Sequence, residues 1–269
     1  MTAALLRFEF SAARRGRTIA LFTVGFAVAS LAVALVGLSA GGVVAIQGFA
    51  RTSVSLLQLV LWVVPMLALL IGAVAGAELH DLEFVAALPV SRPRLLLSRW
   101  AAWQIALSAA LCVGLGVAGV AIGSFAGSAD ALRYLGLIGV TLLLLSACLA
   151  LGLWIGVGAR TRARAVAVAV VVWFVLVIGV DLIAIAALAM LPPAAAGWGL
   201  SLLLLADPVD GARALGLGLF RADVLAGPTG AALRHVMGGW GAWLLVAGLA
   251  AWTIVPLALA GRRFARRDL

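Results

Sequence analysis

Few side chains in this chain of 269 residues could do chemistry, and Asp181 is the most demanding of them. It stands in Val180-Asp181-Leu182, inside a long apolar run. A carboxylate at membrane depth costs about 3 kcal/mol on insertion scales. Asp181 must therefore face a partner, a cavity or headgroups, or take up a proton. It fits equally a helix-interface or pathway residue and an aspartate paired within a bundle for packing alone. A second group is Asp207-Pro208-Val209-Asp210. Asp207 suits an N-cap and Pro208 the first helical position, so interfacial or re-entrant helices are expected there, against the plainer reading of a solvated loop. A third is the acidic stretch Glu78, His80, Asp81 and Glu83.

The remaining candidates exclude more than they offer. Ser108 and Ser146 lie in apolar runs with no histidine at membrane depth, so they read as back-bonding or helix-packing residues. Cys112 and Cys148 form no CxxC pair, and His80 and His235 lie far apart, so no metal-ligand spacing exists. The basic residues are all arginine, and no phosphate-cradling glycine loop ending in lysine occurs. An ATPase site within this sequence is excluded, and any ATP-driven role needs a second subunit.

The elements that would position these residues are membrane spans. The chain is 65% hydrophobic and 11% charged, with mean hydropathy +1.23. Soluble domains carry about 25% charged residues. Six runs are long enough to cross a bilayer, about 18–38, 54–77, 100–124, 134–157, 166–190 and 239–261, which predicts an all-α polytopic protein and a single transmembrane domain over 1–269. The first run is too long for the apolar core of a signal peptide and reads as a retained anchor. The segment 192–238 is the one sizeable loop.

The formal charge of +9 would ordinarily raise nucleic-acid binding. Here the arginines are juxtamembrane, and lipid headgroups and orientation account for them better. They cluster at Arg7/Arg14/Arg15/Arg17, Arg92/Arg94/Arg99, Arg160/Arg162/Arg164 and Arg262/Arg263/Arg266/Arg267, with two spans between successive clusters. The positive-inside rule then predicts a multi-pass protein of the plasma (inner) membrane with both termini cytoplasmic. Trp100, Trp103 and Trp154 would mark the inner interface, and Trp198, Trp240 and Trp243 the outer one.

Between the second and third spans, residues 78–88 read as a short amphipathic helix with Leu82, Val85 and Leu88 on one stripe, ended by Pro89. Acids at its start would suit the helix dipole. Such a helix can anchor to the surface or serve as a docking element that a cytoplasmic motor pushes.

This segment resembles type-2 ABC export permeases, which carry a Glu-x-Gly-Thr-Leu-Glu…Pro-x-x-Arg type of sequence after their second span. Glu78, Leu82, Glu83, Leu88, Pro89 and Arg92 fall in register with it, while His80-Asp81 replaces the Gly-Thr. Before the first span, Glu9 within Arg7-Phe8-Glu9-Phe10-Ser11, followed by Arg15-Gly16-Arg17, is similar to the family's amphipathic elbow helix. Within the family the chain looks most like the NosY-like permeases of nitrous-oxide reductase maturation. Trp173-Phe174, Asp181-Leu182, Leu202–Leu205 with Asp207-Pro208-x-Asp210, and Arg262-Arg263 carry that likeness, with Asp207 in place of an asparagine.

The resemblance implies a permease homodimer working with a separate cytoplasmic ABC ATPase subunit. ATP and Mg would be bound by that partner and no cofactor by this chain. It also implies a periplasmic copper-handling or maturation partner. The alternatives are a generic type-2 exporter of a drug, lipid or polysaccharide and, from another class, a secondary transporter. The latter would be expected to show internal repeats, and none is evident around Pro65 and Pro256.

Overall fold

A computed structural model describes residues 17–39, 45–80, 92–123, 128–190, 202–220 and 240–265. The described elements are helical throughout: α1 (Arg17–Ser39), α2 (Ala45–Ala77) with a 3-10 turn over Glu78–His80, α3 (Arg92–Gly123), α4 (Ser128–Gly158), α5 (Arg162–Phe174), a π-turn over Val175–Gly179, α6 (Val180–Met190), α7 (Pro208–Leu219) and α8 (Gly241–Ala265). Six of these runs are long and apolar enough to cross a membrane, with α5, the π-turn and α6 forming one of them. Several helices overrun the expected spans, most of all α2, which starts at Ala45 rather than near 54, and α3, which starts at Arg92 rather than near 100.

α4 is the central helix, and its span is the most buried of the six. It packs on α2 through two glycine pairs in matching GxxxG spacing, Gly72 and Gly76 against Gly152 and Gly156. A Cβ on Gly72 would lie 2.6 Å from the Leu149 carbonyl oxygen, and one on Gly152 would lie 2.5 Å from that of Leu69. The obstacle in each case is backbone, which cannot swing aside. In lipid, helices gain no hydrophobic drive to associate, so this close backbone approach is what dispersion and weak Cα–H contacts require. Nothing in the span reading singled these glycines out, although their spacing was visible.

α8 joins α4 by a hydroxyl pair, Ser146 Oγ to Thr253 Oγ1 at 3.1 Å. Ser146 is thus a packing residue, as expected. Ser108 lies 3.4 Å from the Gln104 amide, on the same helix. α1 lies on α3, where Phe26 fills the space that Gly114 leaves. Its outward face carries Leu21, Val24, Val28 and Val36, each more than 60% exposed. Such a face is tolerable only against lipid.

The tryptophans divide differently from expectation. Trp240 and Trp243 are exposed at one end of the bundle, as an interfacial belt would be. Trp100, Trp103 and Trp154 instead pack against the buried clusters near the arginine-rich end. Trp198 lies outside the described residues.

If the α2–α4 glycine contact holds the bundle together, Gly152→Leu must separate the helices. Overpacking of this kind costs about 1–3 kcal/mol. Thermal unfolding of the detergent-solubilised protein should shift to clearly lower temperature, whereas Gly116→Leu, at a glycine facing open space, should leave it nearly unchanged. Equal effects would contradict the packing account.

Candidate functional site

Two charge networks tie helices together at different depths of the bundle. At the arginine-rich end, Glu78 closes the 3-10 turn that continues α2. Its carboxylate takes Arg99 Nη2 at 2.5 Å on one oxygen and Arg162 Nη1 at 3.3 Å on the other. Three helices meet there: α2, α3 and α5. Most of the expected 78–88 helix lies outside the described residues. Glu78 directly follows the C-terminus of α2, where the helix dipole disfavours it. The two guanidiniums offset that. Arg99 is buried, so its charge needs this carboxylate more than the half-exposed Arg162 does.

Arg92 extends the same end to α8 by donating to the Phe264 carbonyl at 3.5 Å. Arg263 reaches the Gly158 carbonyl at 3.5 Å. Both carbonyls close helix C-termini, where a cation is favoured. Of the other expected coupling residues, Leu82, Glu83, Leu88 and Pro89 lie outside the described residues. So do Glu9 and Arg15 of the elbow segment, while Arg17 opens α1.

The second network answers what Asp181 faces. Its Oδ1 accepts from Arg213 Nη1 at 2.7 Å. The same nitrogen lies 2.7 Å from Asp210 Oδ1, one turn earlier on α7. That second approach is a charge contact without the angle of a hydrogen bond. Asp181 follows directly on the π-turn. The extra residue of a π-turn advances every later side chain by about 100° around the helix axis, and so sets where Asp181 emerges.

Asp207 completes the group as the expected N-cap of α7. Its backbone is extended at φ −119 and ψ 119, its Oδ1 accepts from Val209 N–H at 2.8 Å, and Pro208 begins the helix. Burial pushes the Asp207 carboxyl up to about 8, with the Asp210 charge adding to the rise while Val209 N–H and Arg213 oppose it. Burial likewise lifts Asp210 to about 6, against the pull of Arg213. Burial works against the Arg213 guanidinium, and its hydrogen bond to Asp181 and the nearby carboxylates more than offset this.

α7 is wedged into the bundle. Gly216 meets the Leu57 side chain on α2, Gly136 on α4 meets Leu219, and the Leu205 carbonyl just before Asp207 accepts from Trp252 Nε1 on α8 at 3.3 Å. Gly211 lies against the Leu204 carbonyl, with 3.2 Å left for a Cβ. Those residues are seven apart, so the chain turns back at Asp207 and does not continue straight. The burial of this bent segment means that the solvated-loop alternative does not hold for 202–220.

Among the described residues no group of His, Cys, Asp or Glu could hold a metal ion. Sequence reading does not single out Arg213 as a site residue. Its signal was the Asp210–Arg213 spacing behind a clear N-cap.

A sequence profile described as ABC-2 family transporter protein matches residues 9–269. No curated protein matches the chain.

Arg213→Ala removes the guanidinium that Asp181 and Asp210 share. Breaking a buried pair costs about 3–5 kcal/mol, and the half-exposure of Asp181 reduces this to roughly 2 kcal/mol. The variant should melt markedly earlier, and the triple variant Arg213→Ala/Asp181→Asn/Asp210→Asn should recover much of the loss. Failure of the triple variant to recover any stability would contradict the charge-pairing account.

Proposed function

We propose a permease role on one premise: the chain belongs to the ABC-2 transporter family. It is a multi-pass membrane protein, and permeases of this family generally partner with a cytoplasmic ATPase subunit. In this reading residues 1–269 form one membrane domain of a permease homodimer. ATP and Mg bind to the separate ATPase, and this chain conducts cargo or transmits motion. Both termini and the arginine-rich end face the cytoplasm of the inner membrane, the side that an excess of arginine favours.

The observation that carries the reading is the Glu78–Arg99–Arg162 network. It joins three helices just before 81–91 in the sequence. A push on that segment, through Glu78, Leu82, Glu83, Leu88, Pro89 and Arg92, would reach α2, α3 and α5 together. The elbow segment with Glu9, Arg15 and Arg17 would receive the ATPase beside it. Nucleotide shifts the permease only as far as the ATPase binds one of its conformations better than another.

Two finer readings have specific support. The NosY-like one rests on the Trp173-Phe174, Asp181-Leu182 and Asp207-Pro208-x-Asp210 resemblances. Under it the end bearing Trp240 and Trp243 faces a periplasmic copper-site maturation partner. A generic exporter of drug, lipid or polysaccharide draws support from the apolar cleft between α3 and α8, lined by Leu96, Leu97, Ile254 and Leu257 with Arg262 at its rim. That lining suits an acyl chain with an anionic headgroup.

The protein should co-purify with a nucleotide-binding subunit. Glu78→Ala together with Glu83→Ala should weaken that association or uncouple ATP hydrolysis from transport, with the chain still in the membrane. Coupling energies of about 1–3 kcal/mol correspond to losses of roughly 5–150-fold. Wild-type coupling in the double variant would reduce the segment to an anchor, and transport surviving with no ATPase present would remove the ABC reading.

A further inference from the structure

Asp207 lies near the middle of the bundle's depth. The carbonyl two residues before it is held by Trp252, which stands halfway along the 25-residue α8. Leu204, Leu205, Leu245, Gly248, Leu249 and Trp252 wall the turn, leaving no room for a water-sized sphere. Asp207 itself is 2% exposed. Its Oδ1 is satisfied by Val209 N–H, but its Oδ2 is buried with no hydrogen-bond partner.

The charges around it do not balance. From α7 come Asp210 and Arg213, from α6 Asp181, and from α4 the buried Cys148, which is close enough to feel the Asp207 charge. Among the described residues α2 and α8 bring no ionisable side chain to the turn. Among the described residues three carboxylates thus share one guanidinium, and the contacts Arg213 Nη1 makes go to Asp181 and Asp210. An ionised, unpaired carboxylate in such a place is far more costly than a neutral one. A hard metal cation would need several oxygen ligands, and here the neighbouring carboxylates are engaged by Arg213.

We propose that Asp207 is a proton-binding site inside the membrane domain, occupied while the turn is seated and emptied when the turn is unseated and wetted. In the seated state the carboxyl is neutral. On unseating, the O–H bond breaks, the proton passes to water and the carboxylate is left solvated. Proton concentration and the position of α7 are then linked: acid favours the seated turn, alkali the unseated one. The linkage does not depend on the ATPase assignment and would hold for a membrane protein of any mechanism with this turn.

The test is pH-difference infrared spectroscopy of the purified protein in lipid nanodiscs. The wild type should show the carbonyl stretch of a buried, protonated carboxylic acid at neutral pH, lost as the pH passes about 8. Asp207→Asn should lack this signal and Asp210→Asn should retain it. If Asp207→Asn does not insert, Asp207→Glu should move the band to a new frequency. A wild type without the band, an Asp207→Asn variant that keeps it, an unmoved band in Asp207→Glu, or displacement of the band by sodium at fixed pH would overturn the proposal. A second readout uses stability. A carboxyl raised in the folded state binds its proton where the unfolded chain does not, so stability must fall as pH rises from the ordinary carboxylate range, about 4, through the folded-state value. Melting temperatures should decline across that window in the wild type and far less in Asp207→Asn. A flat wild-type profile would contradict the site.

Discussion

A charge inside a hydrocarbon layer has to be neutralised where it lies, and this single constraint arranges most of the molecule. Charged residues make up 11% of the chain, and among the described residues the buried Arg99 and Asp210 lie beside opposite charges, while the buried Asp207 does not. Glu78 neutralises Arg99 and reaches Arg162, and Arg213 serves Asp181 and Asp210 together. Each network crosses between helices that are distant in sequence. The pairs therefore do two things at once: they make the charges tolerable, and they fix which helix ends meet.

Between the two networks the bundle relies on contact rather than charge. The Gly72/Gly76 and Gly152/Gly156 faces bring two backbones together over about one turn and a half, and the Ser146–Thr253 hydroxyl pair ties α8 to the same central helix. α4 thereby becomes a stiff axis, with α2 and α8 fastened to it and α1 and the α5–α6 run more peripheral. The π-turn over Val175–Gly179 interrupts that last run just before Asp181. Such turns are often found at functional positions, and here it bears on how Asp181 meets α7.

The sequence made some of this legible for physical reasons that are easy to state. Long apolar runs and arginine clusters are one-dimensional signals, and they located the six spans, although α2 begins well before 54, at Ala45, and α3 well before 100, at Arg92. There Arg92, Arg94 and Arg99 read as loop yet form the helix's first turns. Asp207 and Pro208 were legible as a helix start because capping depends on immediate neighbours. Asp181 was legible as a residue in need of a partner, but not the partner itself, since Arg213 lies 32 residues away. The same applies to Glu78 with Arg99 and Arg162. The depth of α7 was beyond reach because an insertion of 12 residues looks, in composition, like any short amphipathic helix.

The central functional claim is that the segment following Glu78 in sequence is where a nucleotide-driven partner presses on the membrane domain. Site-specific photocrosslinking in intact membranes addresses it most directly, with a photoreactive amino acid placed at the uncharged Phe84. Crosslinks to a nucleotide-binding ATPase subunit, changing in yield between ATP-bound and nucleotide-free states, are the expected result. Crosslinks to lipid alone, with no ATPase adduct in either state, would contradict the claim.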